Sequence, residues 1–147
     1  SSSDEKLERA KALGADHLIN YKATPEWAKE VRKITGGRGA DHVIEVGGAG
    51  TFNQSLQAVR LDGHIAVIGV LAGFTKDVPI AAIFGGNIRI TGLSVGSRTM
   101  VEEMCRAIEV SRISPVVDKT LAMDDAHAAF EMMKGQGHFG KITLDLR

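Results

Sequence analysis

Short apolar segments alternate with amphipathic helical patterns along the first two thirds of the chain. The apolar segments are "HLINY" (17–21), "DHVIEV" (41–46), "HIAVIGV" (64–70) and "NIRITGLSV" (87–95). Strands as apolar as these, joined by helical crossovers, are typical of a parallel sheet that is covered by helices on both faces. The alternation therefore predicts a doubly wound α/β fold.

Hydroxyl and glycine residues mark the predicted ends of the helices. The predicted starts share a hydroxyl at the cap: Ser2 with Glu5, Thr24 before Pro25, Thr51, and Thr99 with Glu102. The predicted stops and turns share glycine: Gly14, Gly36–Gly37 and Asp62–Gly63. The helix that begins at Thr51 is predicted to place Phe52, Leu56 and Val59 on one face.

The last part of the chain breaks this alternation. An extended segment "SPVVDKTL" (114–121), a helix over Asp124 to Lys134 and a strand "KITLDL" (141–146) are predicted there. The stretch "GQGHFGK" (135–141) spells G-x-G-x-x-G, but it follows a helix and precedes a strand. Pyrophosphate binding requires the reverse order, because the N–H groups of a helix N-terminus hold the phosphates. Gly135 is therefore predicted to cap a helix C-terminus.

A second glycine-rich stretch has the order that a nucleotide site requires. "GGAGTF" (47–52) follows a predicted strand and opens a predicted helix, although it lacks the third glycine of the fingerprint. Its placement is suited to a nucleotide-binding edge.

Composition excludes several classes of function. The 147 residues carry 18 basic and 18 acidic side chains, so no net charge attracts nucleic acid or an anionic membrane. No apolar run approaches the roughly 20 residues that span a bilayer. Cys105 is the only cysteine, which excludes an internal disulfide and a cysteine-based metal cluster. A cytoplasmic protein is expected.

The ionisable side chains form no recognisable catalytic motif. The five histidines (His17, His42, His64, His127 and His138) show no paired spacing on one helix face, so surface or turn positions are expected for them. The acidic residues are expected in caps and on solvated helix faces. No catalytic residue and no metal ligand is predicted in this chain.

Five stretches together carry a resemblance to a known family. "SSSDEKLERAKALGADHLINY", "DHVIEVGG", "LDGHIAVIGV", "ITGLSVGSR" and "HFGKITLDL" resemble, in sequence and spacing, the C-terminal part of the medium-chain dehydrogenase/reductase superfamily. This superfamily contains the zinc-type alcohol dehydrogenases and the quinone oxidoreductases.

The resemblance implies an incomplete Rossmann-type sheet. In family register the first βαβ unit, with the glycine-rich loop, lies upstream of Ser1, as does the catalytic domain. Residues 1–113 are then a partial NAD(P)-binding domain, and residues 114–147 return toward the catalytic domain. The absent strands would lie between "HLINY" and "DHVIEV", in the middle of the sheet. The isolated chain is therefore expected to be inactive and to bind nucleotide poorly.

The resemblance also implies which residues contact the cofactor. Ser1 occupies the position of the acid that binds the ribose 2′-hydroxyl in NAD-specific members, so NADP is expected in preference to NAD. Ser2, Lys6 and Tyr21 align with groups that meet the adenosine phosphate end. The strand ends contact the adenine and its ribose (Val46, Gly47 and Gly48) and the nicotinamide (Ile68, Gly69, Val70, Leu93, Ser94 and Val95). Lys141 matches a basic residue that reaches the pyrophosphate.

The implied function is that of a cofactor domain in an NAD(P)-dependent oxidoreductase. Such an enzyme transfers a hydride to or from a carbonyl, an enone or an alcohol, with zinc in its zinc-dependent members, whose ligands lie upstream. A homodimer through Ile88–Val95 is implied as well, with a small-molecule substrate as the other partner. The alternative is a non-catalytic α/β module that keeps only the assembly surface of the fold.

Overall fold

The chain forms two compact units. The computed structural model describes residues 1–74 and 77–147. One unit comprises Ser1–Val95 and the other Gly96–Arg147. The domain boundary expected between residues 113 and 114 stays a prediction.

The first unit is an α/β unit with a parallel sheet. Its elements are α1 (Asp4–Ala12), α2 (Trp27–Ile34), β1 (Ala40–Glu45), α3 (Phe52–Ala58), β2 (Val59–Val67), α4 (Ile80–Gly86) and β3 (Arg89–Gly92). The strand order is β1-β2-β3, and both pairs are parallel. Ile65 of β2 lies in register with Val43 of β1 and with Ile90 of β3. The parallel α/β architecture predicted from the sequence is confirmed.

The segment "HLINY" does not form the predicted strand. Residues 17–20 have no regular secondary structure, and turns begin at Tyr21. Isolated extended backbone cannot form a ladder, because its N–H and C=O groups need a neighbouring strand. The main chain of Ser1 supplies one such contact, since the Tyr21 N–H donates to the Ser1 carbonyl over 3.1 Å.

The other strands are confirmed, with different bounds. β3 covers Arg89–Gly92, although 87–95 is predicted, and β1 ends at Glu45, before Val46. The N–H of Leu93 still donates to the Val67 carbonyl over 2.8 Å, but β2 ends at Val67, so the ladder has no further partner strand there. The turn predicted at Asp62–Gly63 lies inside the bounds of β2, where Asp62 adopts a left-handed φ of 53°.

Three helices have other N-cap residues than predicted, and a fourth, predicted to begin at Asp124, begins at Ala126 after a 3₁₀ turn. Ser3, and not Ser2, caps α1 by accepting from the Lys6 N–H over 3.3 Å. Ser97, and not Thr99, caps the helix that follows β3 by accepting from the Met100 N–H over 3.2 Å. Both cap residues have extended backbone, as the N-cap position requires.

The third of these helices, α2, starts at Trp27 rather than directly after Thr24. The preceding residues form turns, in which the side chain of Asn20 accepts from the Lys22 N–H over 3.0 Å. This Asx-type turn holds residues 20–23, and the observed N-cap of α2 is Glu26 and not Thr24.

The core of this unit lies between α3 and the sheet. Phe52, Leu56, Val59 and Ile65 form a buried cluster. The apolar face predicted for the α3 helix is thus confirmed, although Val59 is the first residue of β2. Partly buried side chains complete the cluster: Val43, Val67, Ile83 and Ile88.

A single arginine fixes the start of β2. The guanidinium of Arg32, in α2, donates to the carbonyls of Gln57 (2.9 Å), Val59 (2.7 Å), Gly37 (3.1 Å) and Arg38 (2.8 Å). Gly39 lies against this group with φ +91°, and a Cβ atom there would meet the Arg32 Cζ at 3.0 Å and the Ala58 carbonyl at 2.7 Å. The arginine fork and the glycine together determine where α3 passes into β2.

The second unit pairs two parallel strands around a helix. It contains α5 (Arg98–Val110), β4 (Val117–Ala122), a 3₁₀ turn (Met123–Asp125), α6 (Ala126–Lys134) and β5 (Lys141–Asp145), with β4 parallel to β5. Gly135 follows α6 as its C-cap, and β5 begins at Lys141. The predicted order of helix, glycines and strand in "GQGHFGK" is therefore confirmed. In the described part of the chain, no helix is long and apolar enough to cross a membrane.

The position of the core predicts that alanine substitutions at two isoleucines on adjacent strands lower the free energy of unfolding by very different amounts. Ile65 is 0% exposed and Ile44 is 63% exposed. We expect Ile65→Ala to lower the free energy of unfolding by about 2–5 kcal/mol, because it leaves a cavity beneath α3. Ile44→Ala is the matched control and should cost less than about 1 kcal/mol. Urea unfolding of both variants measures the two values, and equal costs would contradict this placement of the core.

Candidate functional site

The carboxyl ends of the three parallel strands meet at one edge of the sheet. The residues that follow them, 46–48, 68–70 and 93–95, are named here the carboxyl edge. Ile68 and Gly69 donate through their N–H groups to the Glu45 carbonyl over 2.8 and 3.2 Å, and Leu93 donates to the Val67 carbonyl over 2.8 Å. The structure thus brings together the nine predicted site residues that follow the strands. Ligands of open parallel sheets bind at this end of the strands.

Two loops of the carboxyl edge are joined through their main chains. Leu71 and Ala72 donate to the carbonyls of Val46 (3.3 Å) and Gly47 (2.7 Å), and Ala49 donates to the Gly73 carbonyl (3.0 Å). A Cβ atom on Gly48 would lie 2.5 Å from the Gly73 carbonyl oxygen. A Cβ atom on Gly69 would lie 2.5 Å from the Val46 carbonyl oxygen. Glycine is needed at both positions for the contact between these loops, which the sequence does not reveal.

Glu45 connects the carboxyl edge to α3. Its side chain is buried, with 2% of the residue exposed. Its Oε1 accepts from the N–H groups of Gly47 (2.7 Å) and Gly48 (2.9 Å) and from the Thr51 hydroxyl (2.5 Å), and its Oε2 accepts from the Ser55 hydroxyl. Four donors therefore satisfy one carboxylate.

The expectation that all acidic residues lie in caps or on solvated helix faces is wrong for Glu45. The sequence does contain a signal for this network. An acid ends an apolar strand, two glycines follow it, and hydroxyl residues stand at Thr51 and Ser55, four residues apart on the next helix. Residues four apart on a helix lie on one face, so both hydroxyls can point to the same carboxylate.

The network keeps the Glu45 carboxylate charged. Burial raises the pKa of Glu45, but the hydrogen bonds from Ser55, Thr51, Gly48 and Gly47 together outweigh burial and lower the pKa below its usual value. Hydrogen bonds donated to the charged form stabilise that form. The carboxylate is therefore ionised at neutral pH.

The predicted adenosine-end residues lie at the start of the first unit. Ser1 and Tyr21 are brought together by the hydrogen bond between their main chains. Ser2 directly precedes the Ser3 cap, and Lys6 lies in the first turn of α1. Lys141, the predicted pyrophosphate contact, is the first residue of β5 in the second unit.

Apolar side chains form the exposed surface of the carboxyl edge. Val46, Ile68, Val70 and Leu93 are each between 42% and 49% exposed, and Val95 is 95% exposed. Sites for small molecules and cofactors are lined mainly by apolar side chains with a few placed polar groups. The chemistry of the carboxyl edge therefore fits the rings of a dinucleotide.

The described residues do not fit a catalytic zinc ion. No group of three or more His, Cys, Asp or Glu side chains in residues 1–74 and 77–147 could hold a metal ion. Three protein ligands are the usual requirement of a catalytic zinc site. His42 and His64 do make a pair across β1 and β2, with 3.4 Å between their Nδ1 atoms. The sequence gives no sign of this pair, because the two residues are 22 positions apart.

The lowered pKa of Glu45 predicts a specific loss of stability in acid. A carboxyl whose pKa is lowered on folding contributes stability above its unfolded pKa and loses that contribution as the pH falls through the folded pKa. We expect Glu45→Gln to cost about 1–3 kcal/mol at pH 7, and to flatten the fall of unfolding free energy below about pH 4.5. Glu26→Gln, at an exposed acid, should leave that fall unchanged. Urea unfolding at several pH values measures both, and parallel curves for wild type and Glu45→Gln would contradict the assignment.

Comparison with known proteins identifies the family of the chain. The sequence profile of zinc-binding dehydrogenases matches residues 1–110. A zinc-type alcohol dehydrogenase-like protein of Schizosaccharomyces pombe is 47% identical over 99% of this chain, and the match covers 43% of that protein. A 2-haloacrylate reductase of a Burkholderia species is 32% identical over 97% of this chain and 46% of its own length.

Solved structures give the same result. A crystal structure described as an alcohol dehydrogenase of Sinorhizobium meliloti matches with a TM-score of 0.89 and 40% identity, over 99% of this chain and 42% of its own. An NAD-dependent alcohol dehydrogenase matches with a TM-score of 0.86 and 36% identity, over 99% of this chain and 42% of its own. A mycobacterial protein solved with NADPH matches with a TM-score of 0.80 and 26% identity, over 97% and 47%.

The chain thus spans less than half the length of each of these relatives. The structural matches cover both units and confirm the Rossmann-type α/β fold expected from the sequence motifs. Together with the profile match over residues 1–110, they establish that the chain belongs to the zinc-binding dehydrogenase family.

Proposed function

We propose that this chain is the cofactor-binding part of an NAD(P)-dependent oxidoreductase that transfers a hydride to or from a carbonyl, an enone or an alcohol. The observation that supports the proposal most is the carboxyl edge, where three strand ends combine exposed aliphatic side chains with close-packed main chain. Membership of a dehydrogenase family supports the same class of reaction. The reductase and alcohol dehydrogenase names of the relatives agree with either direction of hydride transfer.

The role of these residues is to bind and orient the cofactor. The nicotinamide would lie against Ile68, Val70 and Leu93, whose exposed side chains exclude water from one face of the ring. The adenine would lie on the turn of residues 46–48. The cofactor supplies the hydride chemistry, and the protein fixes the distance and angle of its reactive carbon to the substrate.

We propose NADPH as the preferred cofactor. Ser1 has no charge that would repel a 2′-phosphate, and Lys6 adds a cation one turn into α1. The N-terminus of a helix also favours an anion. Relatives with each cofactor are known, so the preference depends on these residues and not on the family.

A homodimer through residues 88–95 is part of the proposal. β3 is an outer strand of the β1-β2-β3 sheet, and all four of its residues are exposed. In a parallel ladder alternate N–H groups point to opposite sides of a strand. The N–H of Leu93 points to β2, so that of Thr91 does too, while the N–H of Gly92 points away from β2. A second copy of β3 would pair with the side to which Gly92 points.

The cofactor proposal predicts how tightly the protein expressed from its complete gene binds NADPH and NADH, and how Lys6 affects that binding. NADPH should bind more tightly than NADH, and Lys6→Ala should weaken NADPH binding roughly tenfold, because a charge-assisted contact is lost. Lys11→Ala, on the same helix, is the control and should leave the affinity unchanged. Titration of NADPH fluorescence measures these values. The 147-residue chain alone should bind weakly and show no turnover.

Two results of that titration would contradict the proposal. One is tighter binding of NADH than of NADPH, and the other is an unchanged NADPH affinity in Lys6→Ala. A complete protein that binds neither cofactor would favour a non-catalytic assembly module.

The dimer proposal predicts opposite effects of two substitutions at one residue. Gly92→Pro removes the N–H that would donate a hydrogen bond to a carbonyl of the partner strand. Nothing lies within 4 Å of a Cβ atom at this position, so the side chain itself causes no clash. We expect Gly92→Pro to shift the protein to monomer and Gly92→Ala, which keeps the N–H, to leave it dimeric. Light scattering gives the mass of each variant. An unchanged mass for Gly92→Pro would overturn this interface.

A further inference from the structure

The turn of residues 46–48 uses its main-chain polar groups inside the protein. The N–H groups of Gly47 and Gly48 donate to the Glu45 carboxylate. The carbonyls of Val46 and Gly47 accept from Leu71 and Ala72. The Gly48 carbonyl accepts from the N–H of Thr51 (3.0 Å) and of Phe52 (2.9 Å). These two N–H groups and three carbonyls are therefore engaged before any ligand arrives.

The turn of residues 46–48 offers a ligand an apolar surface of fixed shape. The Val46 side chain is 46% exposed, while Gly48 is buried beneath the loop of residues 70–73. Because these five main-chain groups already have partners inside the protein, selection by the turn should depend mainly on van der Waals contact and only weakly on a hydrogen-bonding pattern. Such a surface keeps its shape only if the groups behind it are held rigidly.

The Glu45 carboxylate fixes the turn of residues 46–48 through hydrogen bonds on its buried side. Its Oε1 receives three donors from the turn and from Thr51, and its Oε2 receives Ser55 of α3. We propose that Glu45 is a positioning residue for cofactor binding, which holds residues 46–48 as a rigid shelf that takes the adenine ring by packing and not by hydrogen bonds. This inference rests on the proposed function, because it assumes that a dinucleotide occupies the carboxyl edge.

The chemistry of the side chain distinguishes three substitutions. Glutamine at position 45 can turn its oxygen to Gly47 and Gly48 and donate its amide N–H to the Ser55 oxygen, so the shape of the turn is kept. Methionine has a similar length but leaves the two glycine N–H groups buried without an acceptor. Ser55→Ala removes only the contact to Oε2, on the helix side.

The test uses the protein expressed from its complete gene. We expect Glu45→Met to raise the dissociation constant and the KM for NADPH by about tenfold or more, with kcat at saturating NADPH within about threefold of wild type. Glu45→Gln should restore the affinity to within about threefold of wild type. Ser55→Ala is the control: its melting temperature should fall, while its affinity for NADPH should stay within about threefold.

A second measurement needs no variant. Nicotinamide hypoxanthine dinucleotide phosphate replaces the adenine amino group with a carbonyl oxygen, which changes its hydrogen-bonding pattern and keeps its shape. We expect wild-type protein to bind it within about threefold of NADPH, because a surface that lacks hydrogen-bonding specificity discriminates weakly between isosteres. This measurement tests recognition by packing whether or not Glu45→Met folds. If that variant does not fold, Glu45→Asp replaces it: the shorter carboxylate cannot reach both the turn and Ser55, and an NADPH affinity equal to that of wild type would overturn the positioning role.

The outcomes separate the two proposals. Wild-type protein that binds neither NADPH nor NADH would overturn the proposed function, and this inference with it. NADPH binding by wild type together with equal binding by Glu45→Met would overturn the positioning role alone. A loss of more than about tenfold with the hypoxanthine analogue would overturn recognition by packing.

Discussion

The Glu45 network is the interaction on which the rest of the first unit depends. Its carboxylate ends β1, closes the turn after it and receives the Thr51 and Ser55 hydroxyls at the start of α3. The direction of α3 follows from this anchor, and α3 supplies Phe52 and Leu56 to the core. A buried ion is costly unless its hydrogen bonds are complete, and here four donors meet it. The same group thus orients both the core and the carboxyl edge.

Arg32 makes a complementary set of contacts at the opposite end of α3. Its guanidinium donates to main-chain carbonyls where α3 passes into β2, while the Glu45 carboxylate accepts from main-chain N–H groups where β1 passes into α3. Each helix–strand junction exposes unpaired backbone groups that must be satisfied. A cation meets the carbonyls and an anion meets the N–H groups. Between these two anchors α3 lies flat on β1 and β2, and Ile65 is enclosed beneath it.

The spacing of apolar residues along the sequence predicts most of the fold, because it shows directly which side chains are buried. β1, β2 and β3 and the helices between them follow from apolar runs and turn residues, as does the parallel pairing. The segment "HLINY" shows the limit of this approach, since a strand also requires a neighbour that no local pattern reports. Helix starts at Ser3 and Ser97 differ from prediction by one or two residues because several hydroxyls compete for one cap.

The candidate site was predictable in location but not in construction. The ends of parallel strands must meet at one edge, so the position of residues 46–48, 68–70 and 93–95 follows from the strand order, while their role as cofactor contacts stays a prediction. The main-chain contacts between the loops of Gly48 and Gly69 do not, because they join segments about 25 residues apart. Likewise the burial of Glu45 depends on donors from a turn and from a helix, and only the folded arrangement brings them to one carboxylate.

The contact between Arg32 and Gly39 has a consequence for divergence within the family. The glycine has no side chain, and so it leaves the space that the guanidinium fills. A larger residue at 39 would displace the arginine, and a shorter residue at 32 would remove the guanidinium as donor to four carbonyls. The main chain needs this glycine as well, because a Cβ atom at 39 would meet the Ala58 carbonyl oxygen at 2.7 Å and the Arg60 nitrogen at 2.9 Å, with φ at +91°. Homologous sequences that change residue 32 should therefore still keep glycine at 39.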